Sequence, residues 1–274
     1  MKKFSIITIN YNNCDGLRKT IESVVNQTYI DFEYIIIDGG STDGSVEVIR
    51  DYADRIDYWV SEPDKGIYNA MNKGILKATG EYLNFMNSGD CFDALDVLQK
   101  LATRNYVADV ITGRRLTIDK KPWLIDSGKD GISMSVFYNR TIGHQSSFIK
   151  KQIFNKYMYD ENYKIVSDWK FFIQVLILEN CSFQFVDLVI ADIEIEGISH
   201  TNEKLGKMER EKVLSEFFPP RVLSDYEMMK NIEGSPLLES VVFLNKNSTR
   251  FQIIIAKMLR VIIKVYSCFV RRKN

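Results

Sequence analysis

The first hundred residues alternate short continuous apolar runs with stretches whose apolar residues recur at helical spacing, and this constrains the fold most. Phe4–Ile9 is β-branched-rich and lacks the polar alternation of a half-exposed strand, so it reads as a strand buried on both faces. A polar loop, Asn10–Gly16, follows, and then Leu17, Ile21, Val24 and Val25 recur with a helical period. Phe32–Ile37 is a second apolar run, ending in Asp38. Two buried strands joined through a helix make a parallel βαβ unit, because parallel neighbours need a crossover of about this length. Gly39-Gly40-Ser41-Thr42-Asp43-Gly44 supplies turn residues and a cap before a helix at Val46–Tyr52. Ile56–Val60 reads as a third strand and Ile67–Ala78 as a helix. Tyr82–Met86 is a fourth strand, ended by Asn87-Ser88-Gly89-Asp90. From about Asp109 the rhythm changes to strands with longer irregular stretches and one clear helix, Val166–Leu178. The spacing predicts an α/β fold with halves at 1–100 and 101–200 and a helical extension over 201–274.

Composition narrows the class. A chain of 274 residues with 45% hydrophobic and 26% charged residues buries a sizeable core, which excludes collagen-like and disordered chains. Basic and acidic residues both number 36, so no global charge favours nucleic acid. The balance hides an asymmetry: from Phe251 onward there are six basic residues and no acidic one. The cysteines at 14, 91, 181 and 268 form no CxxC pair, so neither a zinc site nor a redox motif is expected, and a reduced cytoplasmic setting fits. The N-terminal apolar run is broken at Asn10 and Asn12 and does not read as a signal peptide.

In an open parallel sheet, ligands sit beyond the carboxyl ends of the strands, here Asn10-Tyr11-Asn12, Asp38, Ser61–Gly66 and Asn87–Asp90. No glycine pattern spells GxGxxG or GxxxxGK, which weakens a dinucleotide oxidoreductase or a P-loop enzyme. Phosphate is then most simply handled by a divalent cation on carboxylate oxygen.

SIITINYNN, QTYIDFEYIIIDGGSTDGS, SEPDKGIYNAMNKGI and ATGEYLNFMNSGD, in this order and spacing, resemble the family 2 glycosyltransferases of the GT-A fold, especially bacterial polysaccharide and lipopolysaccharide enzymes. The resemblance is strong over 4–95 and fainter over 140–200. It implies a mostly parallel central sheet flanked by helices, with 1–100 as the nucleotide-sugar half and 101–200 as the acceptor half. It also implies transfer of a hexose from a UDP-sugar to an acceptor hydroxyl with inversion, assisted by Mg²⁺ or Mn²⁺.

The same resemblance assigns residues. Asp38 would hydrogen-bond the nucleobase, with Thr8, Asn10 and Tyr11 packed against it. Asp90 would touch the metal, although Asn87 and Gly89 replace acids common in the motif. Many relatives carry a phosphate-binding Arg near Asn72, where this chain reads Ala70-Met71-Asn72. Lys65, or a residue outside that loop, must substitute. Asp168, at the start of its helix, matches the family's catalytic base, and a helix N-terminus keeps a carboxylate ionised. His144 and Gln145 resemble an acceptor-side HQ element, with Trp169 also on that side, and His200 stands where some enzymes bring a late histidine to the metal. As simple structural residues, these acids would be helix caps or turn residues, and the histidines core groups.

The tail has its own logic. Phe251–Val270 is mostly apolar, but Lys257, Arg260 and Lys264 near its centre would each cost roughly 2.5–3.5 kcal/mol inside a bilayer, which argues against spanning. At helical spacing, Lys257, Arg260, Lys264 and Arg271 fall within about 60° of arc, a basic stripe suited to lying on an anionic membrane surface. Packing on protein, including a second copy in a homo-oligomer, is the competing role. Besides a peripheral enzyme at the inner membrane face acting on a lipid-linked or polysaccharide acceptor, two other classes fit the residues: a sugar nucleotidyltransferase and a non-catalytic sugar-nucleotide- or carbohydrate-binding subunit. No Gly-rich loop with a basic residue follows the first strand, which weighs against the former. Asp90 and Asp168 weigh against the latter.

Overall fold

The computed structural model describes residues 2–104, 106–118, 124–194, 202–232, 235, 240–241 and 249–270. The chain divides into two compact units, Met1–Pro219 and Pro220–Asn274.

The first unit opens with β1 (Phe4–Asn10), buried along its whole length, and α1 (Cys14–Val25), whose N-terminus is capped by the Asn13 side chain. There follow β2 (Phe32–Asp38), α2 (Ser45–Asp51), β3 (Tyr58–Ser61), α3 (Ile67–Lys77) and β4 (Tyr82–Phe85). These strands pair in the order β3-β2-β1-β4, all parallel, as the alternation requires. Gly74 brings α3 close to β1, for a methyl group there would lie 2.5 Å from Cγ2 of Ile7.

Beyond β4 the sheet is mixed rather than parallel. The chain continues through β5 (Cys91–Phe92), α4 (Val97–Ala102), β6 (Val110–Ile118), β7 (Leu124–Ile125), α5 (Val136–Asn139), β8 (Ser147–Lys150) and α6 (Lys151–Phe154). After Asp90 the first helix begins only at Val97, because Cys91 and Phe92 pair with a late strand, β9 (Phe183–Glu194). The order runs on as β4-β8-β6-β9-β5, with β8 antiparallel to both neighbours and β6 parallel to β9. An irregular segment, not a crossover helix, leads into β8, and so it enters reversed. The helix expected over 166–178 is α7 (Ser167–Phe172), continued as a π-helical turn over Ile173–Leu178.

The last helix of this unit, α8 (Glu203–Phe217), secures the start of α7. Its Glu209 is buried and accepts three backbone N–H groups, from Lys164 at 2.8 Å, Ile165 at 2.9 Å and Val166 at 3.2 Å. The Arg210 guanidinium lies 4.9 Å above the ring of Trp169, which is buried. Glu209→Ala orphans all three donors, and about 1–3 kcal/mol per orphaned buried group predicts a thermal midpoint several degrees lower. Differential scanning calorimetry reads it directly.

The second unit holds α9 (Pro220–Ile232) and α10 (Thr249–Val270). Along α10, Phe251, Ile253, Ile254, Met258, Val261, Ile262, Ile263 and Tyr266 are exposed, as are Lys257, Arg260 and Lys264. Among the described residues no helix is long and apolar enough to cross a membrane.

Candidate active site at the carboxyl edge of the sheet

Asn10, Asp38 and Ser61 are register neighbours at the ends of β1, β2 and β3. Asp38 is wholly buried and accepts four hydrogen bonds: Asn10 Nδ2 at 2.7 Å and Ser41 Oγ at 2.6 Å on Oδ1, Ser41 N at 2.9 Å and Ser61 Oγ at 2.6 Å on Oδ2. Burial pushes its pKa up, but the Ser41, Ser61 and Asn10 hydrogen bonds outweigh burial and hold it below the usual carboxylate value. A carboxylate has about four acceptor sites, so a base would reach Asp38 only by displacing one of these donors. Tyr11 is 67% exposed, and its ring flanks Gly39 together with the Asp64 carboxylate. A methyl group on Gly39 would come within 2.6 Å of Asp64 Oδ2 and 3.1 Å of Tyr11 Cδ2. Asn10 Oδ1 is buried without a partner among the described residues. Thr8 lies beneath the site, bonded to the Met86 carbonyl at 2.8 Å and to Tyr34 Oη at 3.1 Å, so it supports the pocket floor rather than lining the pocket.

Asp90 is buried at the end of the loop after β4. It accepts Gln145 Nε2 on Oδ2 at 3.0 Å and Glu194 N on Oδ1 at 3.1 Å. Burial pushes its pKa up to about 6, against the lowering effects of Gln145, His144 and the Glu194 N–H. Gly89 has a positive φ of 102°, a conformation that favours glycine, and Glu194 Oε2 sits 2.7 Å from where a side chain would start. The Glu194 carboxylate, ion-paired with Lys19 at 3.4 Å, thus lies over position 89 from the end of β9.

Asp168 lies in the first turn of α7 and receives His144 Nδ1 on Oδ2 at 3.2 Å and Trp169 N on Oδ1 at 2.8 Å. Tyr68 Oη, 3.1 Å from Oδ1, shares its proton between that oxygen and the Ile165 carbonyl at 2.7 Å. Burial again opposes ionisation, but His144, the Trp169 N–H and Tyr68 prevail and the Asp168 pKa is lowered. Because Nδ1 of His144 faces a carboxylate it carries a proton, and in the neutral ring Nε2 accepts from Asn87 Nδ2 at 3.0 Å. His144 and Gln145 therefore touch Asp168 and Asp90 respectively, and one dipeptide sets the spacing of the two acids.

Other expected residues fall elsewhere. Trp169 is buried, with its indole N–H donating to the Phe137 carbonyl at 3.2 Å; it packs behind the acceptor side instead of facing it. Lys65 is exposed on the loop before α3. Asn72 is spent on clamping residues 159–161, through Tyr159 and Glu161. His200 and the tail's Arg271 lie outside the described residues. Sequence reasoning missed Glu194, Tyr68 and Arg115, each brought in by an element remote in the chain. Only the adjacent arginines at 114 and 115 left any signal, as charges within an otherwise uncharged strand.

A parallel half-sheet with acids along its carboxyl edge, extended by a mixed half that carries a further acid on a helix, has the architecture of the GT-A fold. Residues 5–166 match the glycosyl transferase family 2, and the chain belongs to that family. An uncharacterized glycosyltransferase of Mycobacterium tuberculosis is 31% identical over 210 residues, 73% of this chain and 78% of its own length. A PGL/p-HBAD biosynthesis glycosyltransferase of Mycobacterium bovis is 28% identical over 209 residues, 72% and 79% of the two chains. Among solved structures, S. aureus TarS 1-349 in complex with UDP-GlcNAc superposes with a TM-score of 0.65 at 15% identity, over 91% of this chain and 77% of that one. The mannosyltransferase PcManGT from Pyrobaculum calidifontis, in complex with GDP-Man and Mn²⁺, gives 0.62 at 12% identity, over 98% and 83%. The protein is a glycosyltransferase, which decides against the nucleotidyltransferase and binding-subunit alternatives.

Proposed function

We propose that this glycosyltransferase moves a hexose with inversion from a UDP-sugar to a hydroxyl of a lipid-linked or polysaccharide acceptor in cell-surface glycan synthesis. The observation that carries the reading is the placement of an ionised Asp168 and a buried Asp90 on either side of His144-Gln145. Asp168 keeps an acceptor site on Oδ2 beside His144, and there the acceptor hydroxyl would give up its proton as its oxygen attacks C1. Attack from the face opposite the diphosphate inverts the anomeric centre. Tyr11, Asp64 and the free Asn10 Oδ1 would hold the base, with Asp38 fixing the loop beneath it. The UDP-GlcNAc complex of TarS supports a UDP-sugar, and the relative named for PGL/p-HBAD biosynthesis supports a biosynthetic role.

The residues present fit a divalent cation. Asp90 is a buried carboxylate pushed toward neutrality by burial, Asn87 Oδ1 is buried without a partner among the described residues, and Glu194 lies over Gly89. No group of three His, Cys, Asp or Glu converges among the described residues, so the donor's phosphates would complete the coordination. Mg²⁺ or Mn²⁺, when bound, would neutralise diphosphate charge. The Mn²⁺ complex of PcManGT supports this requirement.

A thermal-shift panel of UDP-, GDP- and dTDP-sugars, with and without Mn²⁺, tests the reading. A donor at 100 times its dissociation constant should stabilise by about 2.7 kcal/mol. No response to any UDP-sugar overturns it.

In this proposal the enzyme sits peripherally at the inner face of the cell membrane, next to its acceptor, a reading that the exposed apolar and basic residues of α10 support. Each basic residue near an anionic surface contributes about 1 kcal/mol, screened by salt. Truncation after Asn247 should abolish sedimentation with anionic liposomes while donor binding persists, and wild-type sedimentation should fall with added salt. Aggregation or lost donor binding on truncation would instead place the tail in a protein interface.

A further inference from the structure

β6 carries two adjacent arginines, and neighbouring strand residues face opposite sides of a sheet. Its register against β9 shifts on both sides of Arg114, a bulge next to Gly113, where a methyl group would run into the Leu188 carbonyl and Ile190. Bulges of this kind re-aim side chains. Arg114 pairs with Asp187. The half-buried Arg115 turns elsewhere: its guanidinium lies against Gly143, so closely that a methyl group there would overlap Nη1. Gly143 directly precedes the dipeptide that touches both Asp168 and Asp90. Among the described residues the guanidinium donates to a single acceptor, the neutral Thr141 carbonyl, at 3.3 Å from Nη2. Burial draws its pKa down while the charges of Asp168 and Asp90 raise it, so both acids act on it. A guanidinium keeps its charge and presents five donors in a fork that fits phosphate oxygens.

We propose that Arg115 is the cation that binds the β-phosphate of the nucleoside diphosphate, the place that Lys65 was expected to fill from the loop before α3. This rests on the donor reading above. As the C1–O bond breaks, its electron pair stays on the β-phosphate oxygen, the guanidinium meets that charge, and the hydroxyl proton passes to Asp168.

Titration calorimetry of UDP and UMP in saturating Mg²⁺, on wild type, Arg115→Met and Arg115→Lys, tests it. Arg115→Met should weaken UDP roughly 10–100-fold, the effect of losing a charged hydrogen bond, while UMP binding stays the same and Arg115→Lys recovers part of the loss. If Arg115→Met does not fold, Gly143→Ala displaces the guanidinium without removing its charge and should weaken UDP selectively too. Equal losses for UDP and UMP, or unchanged UDP affinity, overturn the assignment. So does a loss confined to UDP-glucuronic acid over UDP-glucose, which would give Arg115 a sugar carboxylate instead. Wild type that binds no UDP sinks the donor reading, whereas wild-type binding with an unmoved UDP-to-UMP ratio in the variants sinks Arg115 alone.

Discussion

Asp168→Asn is expected to lower turnover by roughly 10²–10⁴-fold, the usual contribution of a positioned general base, while the protein still folds and UDP affinity stays close to wild type. The amide retains the shape of the carboxylate, and its oxygen can still accept from His144 or from the Trp169 N–H. It cannot take a proton from the acceptor. The same geometry sets the pH profile. Because the folded-state pKa of Asp168 is lowered, its ionised form stabilises the fold above the ordinary carboxylate value, and that contribution disappears as pH falls through the folded value. Turnover in wild type should therefore show no limb from this group across the neutral range. Initial rates with a soluble acceptor analogue measure both effects, and near-normal turnover in the variant would move the base elsewhere.

Asp90→Ala should remove the metal-dependent part of UDP binding, whereas Asn87→Ala should have a smaller effect because its amide is neutral and its partner is His144. Since burial pushes the Asp90 pKa up to about 6, its carboxyl is about half protonated near that pH, and cation binding must displace the proton. Calorimetry of UDP with Mn²⁺ at pH 6, in two buffers of different ionisation enthalpy, should report more proton release in wild type than in Asp90→Ala, the UDP phosphate contributing to both. Equal metal-coupled affinity in the two proteins would refute the ligand assignment.

The two predictions differ in how far the sequence alone carried them. Asp90 and Asp168 were both visible as acids at the end of a strand and the start of a helix. What holds them was not visible. Each of Asp168's partners from outside its own helix, His144 and Tyr68, lies on another element, and the Asp90 carboxylate meets Gln145 and the end of β9. Trp169 was expected beside the acceptor because it neighbours Asp168. On a helix, adjacent residues point about 100° apart, and the neighbour of a site residue faces the core.

Local chemistry in the sequence determined the parallel half-sheet, since buried β-branched runs separated by helical periods admit few other arrangements, and it placed polar groups at the strand ends. It also marked the basic, apolar tail. Tertiary structure alone decided that β8 enters reversed, that four donors saturate Asp38, that Glu194 stands over Gly89, and that a bulge sends Arg115 toward Gly143. Apart from the two donors of Ser41, three residues from Asp38, these contacts join residues far apart in the chain, so no period or local propensity encodes them. They follow from which backbone approaches which once the sheet has closed on its core.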